Sequence, residues 1–178
     1  MSIGVNIIAD HQVRLEVVGG LLSKLEATNP ALDQWERVVL ENKVSSEHLW
    51  TWAWRENFET PESFWNEGNV LTAFIDNSIA VNLGRHAAYI QIPIIWSALK
   101  QKKIQDATNA LAKAVIGALG GHSMLVVPSS SAYCAEMAAN GVSEKLPFEV
   151  ILENYQTCRT KRGKNAEEHL LWLNSGNH

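Results

Sequence analysis

Val70-Leu71-Thr72-Ala73-Phe74-Ile75-Asp76-Asn77-Ser78-Ile79-Ala80-Val81-Asn82-Leu83-Gly84-Arg85-His86-Ala87-Ala88-Tyr89-Ile90-Gln91-Ile92-Pro93-Ile94 is the stretch on which the fold turns. Asp76-Asn77-Ser78 supplies turn chemistry between two runs rich in apolar and β-branched residues, and Ile79, Val81 and Leu83 alternate with smaller or polar neighbours. Gly84-Arg85-His86 offers a second turn into 88–94. The reading is a three-stranded antiparallel meander, with strands at 70–75, 79–83 and 88–94.

Before the meander the pattern is helical. Val18, Leu21, Leu22 and Leu25 fall on one face of a helix expected over 11–27, against the cost of Gly19-Gly20, about 1 kcal/mol per glycine relative to alanine. Asn29-Pro30 reads as the start of a second helix carrying Leu32, Trp35, Val38 and Val39 to about Asn42. Ser46 opens a third, in which Trp50, Trp54 and Phe58 share a face and Trp52 points elsewhere; read as a strand, this stretch would set Trp50, Trp52 and Trp54 on one side. Thr60-Pro61-Glu62 repeats the cap-plus-proline signal before Phe64 and Trp65.

After the meander, 95–119 carries Ile104, Thr108, Leu111, Val115 and Ala118 on one stripe and Lys102, Lys103, Asp106, Asn109 and Lys113 opposite, which predicts a long helix packed on a sheet. Gly120-Gly121 ends it. Met124 to Val127 suits a buried strand that Pro128 stops, Ala132 to Asn140 is helical with Gly141 as its cap, and Phe148 to Leu152 reads as a last strand. Asn165-Ala166-Glu167-Glu168 has the form of a capping box before a terminal helix over Leu170 to Leu173. The expected fold is α+β. A helical, tryptophan-rich front part (1–68) precedes the meander, two further strands complete a mixed sheet, and a long helix packs on it, in a single domain over 1–178.

Composition bounds the function. The chain has 178 residues, 46% hydrophobic and 19% charged, with a net charge of -4. That mild acidity argues against a protein built to grip a phosphate backbone, since such binding is carried by clustered Lys and Arg, so nucleic acid is not the expected partner. Neither a secretory leader nor a run of about 20 apolar residues is legible, so no membrane association is expected. Cys134 and Cys158 lack metal-type spacing, and as two thiols in a chain of this length they suggest a reducing compartment, hence a cytoplasmic location. No metal and no cofactor are expected: the six histidines contain no His-Glu-x-x-His or closely paired set.

Five of the seven tryptophans fall between Trp35 and Trp65. Their plain reading is interior scaffolding; their sharper one makes Trp52, with Arg55 beside it, a surface anchor for a partner, because interface hot spots are rich in Trp and Arg. Ser129, Ser130 and Ser131 lie between a strand and a helix start, where hydroxyls and free amides suit an anion, although N-capping by Ser130 explains them as well. Arg85 and His86 place a guanidinium and an imidazole side by side in a turn. Lys161 and Arg162 belong to the densest basic run, Arg159 to Lys164. Arg85, His86 and Ser130 are therefore the candidate catalytic residues. Trp52, Arg55, Ser129, Ser131, Lys161 and Arg162 are the candidate binding residues.

Two functions from different classes follow. The first is a cytoplasmic, non-enzymatic protein-binding module, such as an acidic inhibitor or toxin-immunity-type protein that covers another protein's basic surface. The alternative is a small enzyme or ligand-binding domain acting on a phosphorylated compound or nucleotide, which requires Arg85, His86, the serines and the basic run to converge. A stacking platform for single strands or sugars would need exposed indoles.

Overall fold

A computed structural model describes residues 4–39, 41, 51–75, 79–129, 133–162 and 170–172. In chain order they form β1 (Gly4–Asp10), a 3-10 turn (Leu15–Gly20), α1 (Leu21–Glu26), α2 (Asn29–Val39), β2 (Ala53–Trp54), α3 (Pro61–Asn66), β3 (Leu71–Ile75), β4 (Ile79–Leu83) and β5 (Ala87–Ile92). A second 3-10 turn (Trp96–Lys100) leads to α4 (Lys102–Ala118), β6 (Met124–Ser129), α5 (Tyr133–Ser143), α6 (Phe148–Arg162) and β7 (Leu170–Trp172). The strands make one sheet in the order β2-β3-β4-β5-β1-β6-β7. Every pairing is antiparallel, so the α+β expectation holds while the mixed sheet is corrected.

The meander is present as β3, β4 and β5, with Ile75 opposite Ile79 and Leu83 opposite Ala88; the Asp76-Asn77-Ser78 turn lies outside the described residues. What the sequence hid is its neighbour. β1 runs between β5 and β6, pairing Asp10 with Ala87 and Ala9 with Met124. Val5 to Ala9 are buried without a break, because both faces of this strand are covered, and a strand of that kind carries no alternation to betray it.

On one face, Val5, Ile7, Ala9, Ile90 and Val126 join a large core with α1, α2, α3 and α4. Trp35 Nε1 donates to Thr108 Oγ1 at 3.2 Å, fastening α2 to α4. On the other face Ile8, Ala87, Leu125 and Val127 meet α5 and α6 in a smaller core of Ala135, Ala138, Val142, Phe148, Ile151 and Tyr155.

Several expected elements are corrected. Phe148 to Leu152 opens α6 rather than forming a strand, since a short apolar run is ambiguous alone, and Phe148, Ile151, Tyr155 and Cys158 complete a helical stripe. The helix expected over 11–27 is broken by Gly19-Gly20 into a 3-10 turn and α1. The helix over 95–119 divides likewise at Gln101, whose backbone is extended. Ala53-Trp54 is a strand on β3, not helix, while Ser46 and Trp50 lie outside the described residues. Leu170–Trp172 adds β7 to β6 where a terminal helix was expected; the capping box at 165–168 lies outside the described residues. Gly141 sits inside α5 rather than capping it. The Thr60 cap holds, its hydroxyl accepting from the Ser63 amide at 3.1 Å with Pro61 at the first helical position.

The cysteines also differ from expectation. Cys134 and Cys158 form a disulfide between α5 and α6, across 24 residues of sequence. The premise of two thiols kept reduced, on which a cytoplasmic location rested, is thereby removed. Among the described residues no helix is long and apolar enough to cross a membrane.

Trp35, Trp52 and Trp65 are 4%, 3% and 2% exposed, and Trp54 and Trp96 are half-buried. Trp52 is thus a core residue and not a surface anchor. We expect intrinsic tryptophan emission in the blue, weakly quenched by iodide in the native protein and strongly after denaturation; equal quenching in both states would contradict this packing.

Candidate functional site

The one end of the sheet where chemistry gathers is the Asp10 end of β1. Four segments meet there: Asp10 to Arg14 leaving β1, Gly84 to His86 between β4 and β5, Trp65 of α3, and the α5–α6 turn with the start of α6. Asp10, His11, Gln12, Val13, Arg14, Arg85, His86, Pro147, Phe148 and Glu149 line a cleft of about 330 Å³.

The segments approach so closely that two glycines are required. A Cβ at Gly121 would stand 2.2 Å from the Asp10 carbonyl oxygen, and one at Gly84 would stand 2.6 Å from that of Val142. Gly121 packs tight against Asp10, whose Oδ1 accepts from the His122 and Ser123 amides, each at 2.7 Å.

His11, missed by sequence reasoning, is the most constrained polar group at the site and is 8% exposed. Its Nδ1 accepts from the Val13 amide at 3.1 Å, which leaves the proton on Nε2 to be donated to the Gly84 carbonyl at 2.9 Å. Both nitrogens are engaged, so the neutral ring joins β1 to the β4–β5 turn and is not free to act as a base. Burial, the largest cause, holds its pKa below the usual 6.5; His86 also lowers it, while the Gly84 hydrogen bond and Asp10 oppose the shift.

A histidine whose folded pKa is depressed binds its proton more readily in the unfolded chain. Its stabilisation is present above pH ~6.5 and is lost as pH falls from there through the lower folded value. We expect the melting temperature to drop between about pH 7 and pH 5 with a slope that His11→Gln reduces. An unchanged slope would show that His11 is not the group responsible.

Arg85 lies beside this ring. Its guanidinium stands 5.0 Å from the centroid of Trp65, and Trp65 in turn packs 6.2 Å from His11. Arg85 Nη1 is buried without a hydrogen-bond partner. His86 is exposed next to it. Arg85 and His86, consecutive in the chain, both line the cleft.

The others do not join them. Ser129 pairs with Gly4 at the far end of β6, five residues beyond Met124 and so roughly 17 Å along the strand. Ser130 and Ser131 lie outside the described residues. Lys161 and Arg162 end α6 while the cleft is at its beginning, about 20 Å away along the helix. Arg55 is beside the edge strand β2, its amide donating to Thr72 at 2.8 Å and its guanidinium 5.4 Å from the Phe74 ring. Among the described residues no group of three His, Cys, Asp or Glu side chains is arranged to hold a metal ion.

No protein-family model, curated protein or solved structure matches the chain. The functional reading therefore rests on the residues.

A second surface borders the first across α3. The rings of Trp54 and Phe58 meet edge to face at 6.0 Å, and Phe58 and Phe64 lie 5.4 Å apart. All three are half-buried. The segment 53–67 that carries them holds Glu56, Glu59, Glu62 and Glu67 against a single cation, Arg55. Glu56 is tied to the sheet through the Thr72 amide at 2.9 Å, and Glu59 and Glu67 are exposed.

Proposed function

We propose that the protein is a non-enzymatic protein-binding module, of the inhibitor or immunity type, whose acidic aromatic edge docks on a basic surface of another protein. The observation that carries this reading is the Trp54–Phe58–Phe64 ledge inside a segment with four glutamates. Aromatic residues seated in the body of the protein, with charge around them, are the arrangement in which interfaces concentrate their energy and their steering. The half-buried rings offer contact area without a large exposed apolar patch.

A binding role is further supported by the scatter of the candidate catalytic groups. Ser129 lies at the opposite end of β6 from Arg85 and His86, both cysteines are in the disulfide, and His11 has no uncommitted nitrogen. Bond-making needs a base and a nucleophile within reach of one another. The disulfide suits an oxidising compartment better than the cytoplasm.

The test is affinity capture with the wild-type chain and with Glu59→Lys/Glu67→Lys. The expected partner is basic, is released by raised salt, and binds the double variant about a hundredfold more weakly, because like charges set face to face cost several kcal/mol. Equal capture by both chains would refute the reading.

A further inference from the structure

We infer that the cleft at the Asp10 end of β1 binds a tetrahedral oxyanion, the phosphate group of a small phosphomonoester, independently of the protein-binding edge. The starting point is a pair of arginines without ion-pair partners among the described residues. Arg14 and Arg85 line the cleft, and among the described residues neither has a carboxylate within ion-pair distance. Arg85 is held there with Nη1 buried and without a hydrogen-bond partner, an arrangement that folding ordinarily avoids. The cation is also fixed in place, since the Trp65 ring backs it at 5.0 Å.

The remaining donors point to the same ligand. Pro147 stands at the cap of α6, its carbonyl accepting from the Val150 and Ile151 amides, and a proline side chain supplies no acceptor for the first turn. Phe148 and Glu149, whose first-turn amides have no acceptor within the helix, line the cleft at the positive end of a 15-residue helix. His86 adds an exposed imidazole.

The lining also carries two acids, equal in number to the arginines, but neither is paired with them: Asp10 Oδ1 accepts from the His122 and Ser123 amides, and Glu149 forms no ion pair with either arginine. Residues from β1's exit, the β4–β5 turn and the start of α6 line the cleft together, so an anion seated in it would meet donors from three segments. That suits an oxyanion with three or four acceptor oxygens better than a planar carboxylate with two. A cleft of about 330 Å³ takes a phosphomonoester of modest size.

The experiment is calorimetric titration of the whole chain with inorganic phosphate, phosphoserine and acetate at fixed ionic strength, repeated on Arg14→Ala and Arg85→Gln. Arg14 is exposed, so its variant reports on binding even if Arg85→Gln perturbs the fold. Saturable binding of phosphate and phosphoserine is expected, with acetate at least about tenfold weaker and each arginine variant weakened about tenfold or more. No saturable phosphate binding, equal affinity for acetate, or full affinity in Arg14→Ala would overturn the inference. Loss of the protein partner in the edge variant leaves these titrations unchanged, so the two proposals fail separately.

Discussion

Trp65→Ala is expected to lower stability by about 3–5 kcal/mol, the range for removing a large aromatic side chain from a packed interior. Trp65 is 2% exposed and anchors α3 to the sheet. Its effect should also reach the cleft, because the same indole touches His11 and carries Arg85. Chemical denaturation measures the first part, and the His11 ring resonances measure the second. A loss below about 1 kcal/mol, the size of an ordinary surface change, would mean that the indole is not packed where the structure has it.

Removing the Cys134–Cys158 bond should cost nearly as much. Closing a loop of 24 residues restrains the unfolded chain by about 3.5 kcal/mol in the chain-entropy description, equivalent to about 7–14 °C in melting temperature for a domain of this size. The effect should approach that figure because the α5–α6 layer is held by a modest core containing several alanines. Cys134→Ala/Cys158→Ala and the reduced wild type should melt together, both well below the oxidised wild type. If reductant leaves the melting temperature unchanged, the two sulfurs are not joined.

The legible parts of the fold were those with a local signature. The meander declared itself through turn residues at 84–86 and alternation at 79–83, and the Thr60-Pro61 cap through the chemistry of a helix start. β1 stayed hidden because Val5 to Ala9 are buried on both faces. Phe148 to Leu152 misled for a related reason: five residues of mixed apolar character fit either state, and only packing of Ile151, Tyr155 and Cys158 under α5 decides for helix. Trp52 followed its neighbourhood too. Two residues of pairing between β2 and β3 place it inside, against a helical reading that left it outside.

The site was legible only in half. Arg85 and His86 could be named because a polar turn between strands is a common place for function. His11, Arg14 and the start of α6 could not, since their proximity is made by the central position of a strand the sequence did not reveal. Chemical type alone groups Ser129, Lys161 and Arg162 with Arg85; antiparallel register puts Ser129 at the far end of β6, and Lys161 and Arg162 end α6, whose start lines the cleft.

The most direct test of recognition through the acidic edge is hydrogen–deuterium exchange on the captured complex. Protection on binding is predicted in residues 53–67, with the amides of 10–14, 84–86 and 147–149 exchanging as in the free protein. Protection confined to the cleft segments, with 53–67 unchanged, would contradict the account.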